Sequence, residues 1–131
     1  MSNTSHSGVV FLIDDDSAIL AMAERFLKNR GYSTITAKDG EEALLLLSAK
    51  QFDLIISDID MPRMDGMRLL ELMRINSINT PLIFLTANTS ADCEEKARKA
   101  GAADFIHKPI KKEAFLGKIA AVLSNSRAKR A

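Results

Sequence analysis

The chain has 131 residues, of which 47% are hydrophobic. This length is typical of a single domain of roughly 100–150 residues, so we expect one hydrophobic core. The 18 basic and 17 acidic side chains leave a formal net charge of +1. This balance excludes attraction to nucleic acid or anionic membranes by a field of the whole molecule. We therefore expect partners to be recognised by local surfaces.

The cysteine count and the first residues indicate the cellular compartment of the protein. Cys93 is the single cysteine, so no internal disulfide can form, and no group of Cys and His has the spacing of a zinc site. The opening MSNTSHSG has neither the charged start nor the apolar core of a signal peptide. No apolar run approaches the roughly 18 residues needed to cross a bilayer. We predict a soluble, cytoplasmic protein without a membrane partner.

Several short runs are apolar almost throughout, as strands buried on both faces of a sheet should be. They are VVFLI at 9–13, DLIIS at 53–57 and LIFLT at 82–86. STITA at 33–37 and DFIH at 104–107 are typical of two weaker strands. Because strands buried on both faces occur mainly in parallel sheets, the pattern favours a parallel five-stranded sheet.

Segments with helical spacing of apolar residues lie between these strands. The first helix is predicted by Ile19, Met22, Ala23, Phe26 and Leu27. Further helices are expected near 40–49, 66–75, 90–99 and 112–123. Gly31 and Gly101 follow the first and fourth helices, and Asp39 with Glu42 has the form of a capping box. The fourth helix has almost no apolar residue except Ala, so we expect it to be held weakly.

The alternation of five strands with five helices predicts a three-layer, doubly wound α/β fold, (βα)5, with right-handed crossovers. We expect this domain to cover residues 8–124, with an N-terminal tail at 1–7. The basic residues 125–131 (NSRAKRA) are interpreted as a solvated C-terminal tail or truncated linker. We therefore predict no direct nucleic-acid binding by this domain. In such folds, ligands bind beyond the carboxyl ends of the strands.

Polar side chains stand where the predicted strands end. They are Asp14, Asp15 and Asp16 after the first strand, Asp58 after the third, Thr86 ending the fourth and Lys108 after the fifth. Because the carboxyl ends of parallel strands meet at one edge, we expect these groups in one pocket. Clustered carboxylates repel one another unless a cation compensates, and Mg²⁺ prefers a few carboxylate ligands together with phosphate oxygens.

Asp58, at the end of a buried strand, is the best candidate for a nucleophile that carries an aspartyl phosphate. Thr86 would then hydrogen-bond the phosphoryl group. Simpler interpretations also exist: the run Asp14 to Asp16 can cap a helix, through Asp16 or Ser17. Met61 to Gly66 can form a turn, through Pro62 and Asp65-Gly66, that also shapes the loop beside Asp58.

Four motifs in this order resemble a response-regulator receiver domain of bacterial two-component systems. They are IDDD at 13–16, SDIDMPRMDG at 57–66, TAN at 86–88 and KP at 108–109. The resemblance covers about residues 8–124. It implies a flavodoxin-like, CheY-like fold with strand order 2-1-3-4-5.

By this resemblance, Asp58 is the phosphoacceptor and Lys108 pairs with the phosphoryl group. Asp14 and Asp15 supply the acidic pair for Mg²⁺, with Asp15 the direct ligand and Asp14 acting mainly through water. The backbone carbonyl of Asp60 completes the protein ligands.

The resemblance also implies residues that respond to phosphorylation. Thr86 turns toward the phosphoryl group and Phe105 swings inward. The alternative for Phe105 is simple packing, because a Phe on a last strand usually belongs to the hydrophobic core. Asp60 and Asn88 flank the site and tune how fast the phosphoryl group is lost. The peptide between Lys108 and Pro109 is expected to be cis.

We therefore expect a phosphorylation switch. A sensor histidine kinase or phosphotransfer protein donates to Asp58, and the surface of the fourth helix, fifth strand and fifth helix then controls an output domain or target protein. The resemblance allows a phosphorylation-dependent homodimer. Beyond phosphoryl uptake and slow autodephosphorylation, no enzyme activity is expected.

Two alternatives remain open. One is a receiver-like adaptor that works without phosphorylation. The other is a phosphatase of the haloacid-dehalogenase type, because Asp58 and Asp60 resemble its aspartate pair. That family, however, places the pair on its first strand.

Overall fold

Five strands and five helices alternate along the chain. The computed structural model describes residues 8–87 and 90–130, with side chains as far as Ser126. The strands are β1 (Val9–Ile13), β2 (Ser33–Ala37), β3 (Leu54–Asp58), β4 (Leu82–Thr86) and β5 (Asp104–His107). The helices are α1 (Ser17–Lys28), α2 (Gly40–Ala49), α3 (Gly66–Ile75), α4 (Ala91–Ala100) and α5 (Lys112–Arg130).

The strands form one parallel sheet in the order β2-β1-β3-β4-β5. The predicted doubly wound fold and its strand order are thus confirmed. In the register, Ile13 pairs with Ser57, and Asp58 pairs with Leu85. This register brings the residues that follow β1, β3 and β4 to the same edge of the sheet.

The core lies on both faces of the sheet, which explains the continuous apolar runs. Val10 and Leu12 point into the cluster that contains Leu27 of α1 and the apolar residues of α5. Phe11 and Ile13 point into the other cluster, with residues of α2, α3 and α4. Successive side chains of a strand face opposite ways, so the inner strands β1, β3 and β4 are apolar at nearly every position, whereas the edge strands β2 and β5 are not.

Helix starts follow the predicted caps. Asp16 caps α1, because its Oδ1 accepts hydrogen bonds from the N–H groups of Ala18 (2.9 Å) and Ile19 (3.4 Å). Asp39 caps α2 by accepting from the N–H of Glu42 at 2.8 Å. The carboxylate of Glu42 accepts in turn from the N–H of Lys38 at 2.8 Å, so the reciprocal bond closes one residue before the cap.

Three elements, β3, α4 and α5, differ from their predicted bounds. β3 begins one residue late, at Leu54, and α4 runs over Ala91–Ala100 where 90–99 was predicted. β3 includes Asp58, one residue beyond the predicted end. α5 continues to Arg130, past the predicted end at 123, so the predicted tail is helical as far as that residue. The sequence of this extension has no apolar stripe that would predict a helix, but its Ala, Arg and Lys residues favour helix. Residues 1–7 and 131 lie outside the described residues.

α4 buries a single side chain among its residues, that of Ala97, as its composition predicted. Within the part of the chain that the structure describes, no helix has the length and apolar character to span a membrane.

Candidate functional site

Asp14 lies directly after β1 and is 1% exposed. Its N–H donates to the carbonyl of Ala37 at 3.1 Å, and its Oδ1 accepts from the N–H of Asp16 at 3.0 Å. Its Oδ2 lies 3.0 Å from Nζ of Lys108, but off the direction of a hydrogen bond. This buried oxygen therefore accepts no hydrogen bond from the described residues.

Asp58 is the last residue of β3, and its side chain is 9% exposed. Oδ1 accepts from the N–H of Asp60 at 3.3 Å, and Oδ2 accepts from Nζ of Lys108 at 3.3 Å. The hydroxyl of Ser57 donates to the carbonyl of Asp58 at 2.8 Å. The backbone and carboxylate of Asp58 are thus fixed from several directions.

The backbone beyond Asp58 is closely packed. A Cβ atom on Gly66 would lie 2.3 Å from the carbonyl oxygen of Asp58 and 2.8 Å from the ring of Phe84. The N–H of Gly66 donates to the carbonyl of Ile59 at 2.7 Å. Only a residue without a side chain lets α3 begin this close to the site.

Lys108 follows β5 and points its amino group between the two buried carboxylates. Its own N–H donates to the carbonyl of Thr86 at 2.9 Å, which ties the β5 end to the β4 end. The Lys108–Pro109 peptide is cis, as predicted. The lysine side chain is 20% exposed, so solvent screens its charge only in part.

The electrostatics of the three buried groups follow from this arrangement. Burial raises the pKa of Asp58, and the charge of Asp14 raises it further, although the contacts with Lys108 and with the N–H of Asp60 lower it. For Lys108, burial alone lowers the pKa, but the contacts with Asp14 and Asp58 outweigh it and hold the pKa above its ordinary value. Lys108 is therefore a cation at neutral pH, and it only partly offsets the carboxylates.

The acidic groups fit a divalent cation. One carboxylate oxygen each of Asp14, Asp15 and Asp58 lies within 4.8 Å of the others, and Asp15 is exposed while the other two are buried. Three carboxylates and the ammonium of Lys108 leave two negative charges to be balanced. The buried Oδ2 of Asp14 also lacks a hydrogen bond. A hard, oxygen-preferring ion such as Mg²⁺ matches this donor set.

Thr86 lies at the same edge of the sheet as this centre, whereas Phe105 belongs to the core beneath it. Thr86 ends β4, one residue beyond the partner of Asp58 in the sheet, and is 1% exposed. Phe105 lies deeper in the core, with its ring 6.2 Å from the ring of Phe84 and 5.1 Å from the guanidinium carbon of Arg98 on α4. Asn88 lies outside the described residues.

The structure also brings in a residue that the sequence did not single out. Arg63, in the loop between β3 and α3, reaches Oδ2 of Asp39 with Nη2 at 2.5 Å and Oε1 of Glu41 with Nε at 3.4 Å. The hydrogen bond from the N–H of Glu42 and the contact with Arg63 hold the pKa of Asp39 below its ordinary value. Arg63 and Asp39 are 24 positions apart, and no local pattern reveals such a pair.

Comparison with known proteins gives a consistent match. The model of the response regulator receiver domain family matches residues 10–120. The chain is 36% identical over 118 residues to the cell cycle transcriptional regulator CtrA of Caulobacter vibrioides, covering 90% of this chain and 51% of CtrA. It is 38% identical over 103 residues to the DNA-binding transcriptional regulator NtrC of Escherichia coli, covering 79% of this chain and 22% of NtrC.

Solved structures agree with this match. The chemotaxis response regulator CheY4 of Vibrio cholerae has a TM-score of 0.84 and 34% identity, covering 89% of this chain and 99% of CheY4. A CheY-like receiver domain protein from Methanospirillum hungatei has a TM-score of 0.88 and 28% identity, covering 95% of this chain and 99% of that one. The chain spans about half the length of CtrA and about a fifth of NtrC. By sequence and by fold, the chain belongs to the response regulator receiver domain family.

Proposed function

We propose that this chain is a phosphorylation-controlled signalling switch in which Asp58 accepts a phosphoryl group from a sensor histidine kinase or a phosphotransfer protein. The observation that carries the proposal is the position of Lys108. Its Nζ lies 3.0 Å from Oδ2 of Asp14 and 3.3 Å from Oδ2 of Asp58, at the carboxyl edge of the sheet. This arrangement suits a site that receives a further anionic group.

In the proposed transfer, a carboxylate oxygen of Asp58 attacks phosphorus in line with the bond to the donor's histidine nitrogen. The P–O bond forms, the P–N bond breaks, and the imidazole nitrogen leaves with the electron pair and then takes up a proton. Lys108 pairs with the phosphoryl oxygens. Asp14, Asp15, Asp58 and the carbonyl of Asp60 would hold Mg²⁺, which would supply positive charge against the repulsion between the carboxylates and the phosphoryl oxygens. The raised pKa of Asp58 fits a basic, nucleophilic oxygen.

The response is proposed to pass through Thr86 and Phe105 to α4. The hydroxyl of Thr86 would donate to a phosphoryl oxygen, and Phe105 would adjust beneath α4, which buries only Ala97 among its residues. The phosphoryl group can shift this equilibrium only by the difference between its interactions in the two states. The changed α4-β5-α5 surface would then control an output domain or a target protein.

The chain is proposed to have no turnover of its own beyond accepting and slowly releasing this phosphoryl group. The adaptor alternative predicts equal partner affinity with and without beryllofluoride at saturating Mg²⁺. Steady turnover of a phosphomonoester would favour the phosphatase alternative.

The proposal is tested by labelling with acetyl phosphate and Mg²⁺. Asp58→Asn removes the nucleophile, so labelling is expected to disappear. Asp65→Asn is the matched control, because Asp65 caps α3 through a bond from the N–H of Arg68 at 2.8 Å, and Asn is an equally good cap. Labelling of the Asp58→Asn protein at the rate of the control would overturn the proposal.

A further inference from the structure

Arg63 has an unfavourable backbone conformation in the loop between β3 and α3. Its φ is 68°, and among the described residues only Arg63 and Ser77 are non-glycine residues with positive φ. This left-handed region crowds Cβ in every residue except glycine. The N–H of Met64 donates to the carbonyl of Pro62 at 2.7 Å, so Arg63 is the central residue of a tight γ-turn, and such a strained turn persists where the surrounding contacts hold it.

The contact of Arg63 is with a carboxylate that has a second task. Among the described residues, the buried polar or charged side chains are Asp14, Asp39, Ser57, Asp58 and Thr86. Asp14, Ser57, Asp58 and Thr86 lie at or next to the carboxyl ends of β1, β3 and β4, and Asp39 lies two residues beyond the end of β2. Oδ1 of Asp39 caps α2, and its Oδ2 accepts from Nη2 of Arg63 at 2.5 Å. Asp39 thus joins the start of α2 to the loop between β3 and α3.

Backbone packing strengthens this junction. A Cβ atom on Gly40 would lie 2.6 Å from the carbonyl oxygen of Met64, so the start of α2 touches the loop backbone directly. The loop's other end is held by the N–H of Gly66, which donates to the carbonyl of Ile59 at 2.7 Å. The segment that carries Asp60 is therefore bounded on one side by Asp58 and on the other by the contact of Arg63 with Asp39.

We propose that Arg63 is a positioning residue for the phosphorylation site. Its ion pair with Asp39 fixes the loop that presents the backbone of Asp60, and so sets the affinity of the site for the divalent cation. This inference rests on the proposed function for the identity of the cation site. In this inference Arg63 contributes to the site although it touches neither the phosphoryl group nor the cation.

The sign of the effect separates positioning from simple electrostatics. Loss of a nearby positive charge, by itself, would tighten the binding of a cation. Loss of a positioning contact would weaken binding, because the ligands would be held in the correct geometry less of the time. The two accounts therefore predict opposite changes in the same dissociation constant.

The test uses Arg63→Gly, because glycine accepts the left-handed backbone while the ion pair is lost. Mg²⁺ affinity of the unphosphorylated protein is measured by NMR titration of the amide signals of Asp15 and Asp58. We expect Mg²⁺ to bind about tenfold more weakly, at the lower end of the loss seen for residues that support metal ligands. Arg63→Lys, which keeps the charge but loses the planar guanidinium, is expected to fall between wild type and Arg63→Gly.

Arg68→Ala is the matched control, since Arg68 is an exposed arginine of α3 whose ion pair is with Glu71. It loses the same charge and is expected to leave Mg²⁺ affinity unchanged. Asp39→Asn also removes the ion pair, while Asn still caps α2. It should therefore reproduce the weaker Mg²⁺ binding of Arg63→Gly. The double variant should then be no weaker than either single variant.

A kinetic readout completes the test. With acetyl phosphate, Arg63→Gly should label slowly at low Mg²⁺ and recover the wild-type rate at saturating Mg²⁺. Unchanged or tighter Mg²⁺ binding by Arg63→Gly would overturn the inference. Failure of the proposed function itself would look different, because the wild-type protein would then show no labelling of Asp58 at any Mg²⁺ concentration.

Discussion

The amino group of Lys108 lies 3.3 Å from Oδ2 of Asp58, although the two residues are 50 positions apart in the chain. The doubly wound topology brings the ends of β3 and β5 to one edge of the sheet, and Lys108 reaches across the end of β4 to make this contact. Lys108 also faces Asp14, so one cation serves two buried carboxylates.

Replacing Lys108 should separate its two roles. In Lys108→Met, the positive partner of the phosphoryl group is lost, and we expect labelling by acetyl phosphate to slow by about a hundredfold. Mg²⁺ should bind more tightly, because a competing positive charge has gone. Labelling kinetics and a calorimetric Mg²⁺ titration measure the two effects. Lys111→Met, at an exposed position nearby, should change neither, and weaker Mg²⁺ binding by Lys108→Met would contradict this account.

The raised pKa of Asp58 predicts a pH-dependent stability in the absence of metal. Folding raises this pKa above the ordinary value of 3.8, so the folded state holds the proton to a higher pH than the unfolded state. Stability contributed by this group therefore falls as the pH rises above 3.8 and stays low once Asp58 is ionised.

Asp58→Asn should remove the loss of stability that the ionised carboxylate causes. At neutral pH and in the presence of EDTA, the variant protein should therefore unfold at a higher temperature than wild type. Each 1 kcal/mol of relief corresponds to about 3–5 °C for a domain of this size. The difference should shrink as the pH approaches 3.8, and saturating Mg²⁺ should stabilise the wild type more than the variant. Equal melting temperatures across the pH range would show that the carboxylate cluster is not strained.

Two glycines in helices should respond oppositely to alanine. Gly66→Ala places Cβ 2.3 Å from the carbonyl oxygen of Asp58, and we expect a loss of about 1–3 kcal/mol in the free energy of unfolding. Gly117→Ala has no atom within 4 Å of the new Cβ and should gain about 0.5–1 kcal/mol. Urea unfolding measures both. Stabilisation by both substitutions would contradict the close packing of α3 against the site.

The weak burial of α4 predicts fast local opening. α3 buries Leu69, Leu70 and Met73, whereas α4 buries Ala97 alone among its residues. Each large side chain buried contributes about 1.5–3 kcal/mol, so amides of α4 should exchange hydrogen at least about tenfold faster than those of α3. Amide exchange followed by mass spectrometry measures the ratio. Equal protection of the two helices would remove the physical basis for α4 as the moving element.

The sequence predicts the sheet and the centre of the site because both depend on simple periodic rules. Strands buried on both faces must be apolar throughout, and polar residues at their carboxyl ends must meet; Asp14, Asp58 and Lys108 were found in this way. The far end of α5 was missed, since the sequence there, NSRAKR, has no periodic apolar residues. The contact of Arg63 with Asp39 was missed for another reason: long-range ion pairs between loops leave no spacing pattern. The left-handed φ of Arg63 was equally hidden, because glycine would be expected at such a position.

The central claim is that Asp58 carries the phosphoryl group, and direct chemical mapping tests it most sharply. The wild-type protein is treated with acetyl phosphate and Mg²⁺, the acyl phosphate is trapped by borohydride reduction, and the modified residue is identified by mass spectrometry of peptides. The account predicts modification at Asp58 alone, and none when EDTA is present. Modification at Asp14, Asp15 or Asp60 instead, or labelling of Asp58 that is unaffected by EDTA, would contradict it.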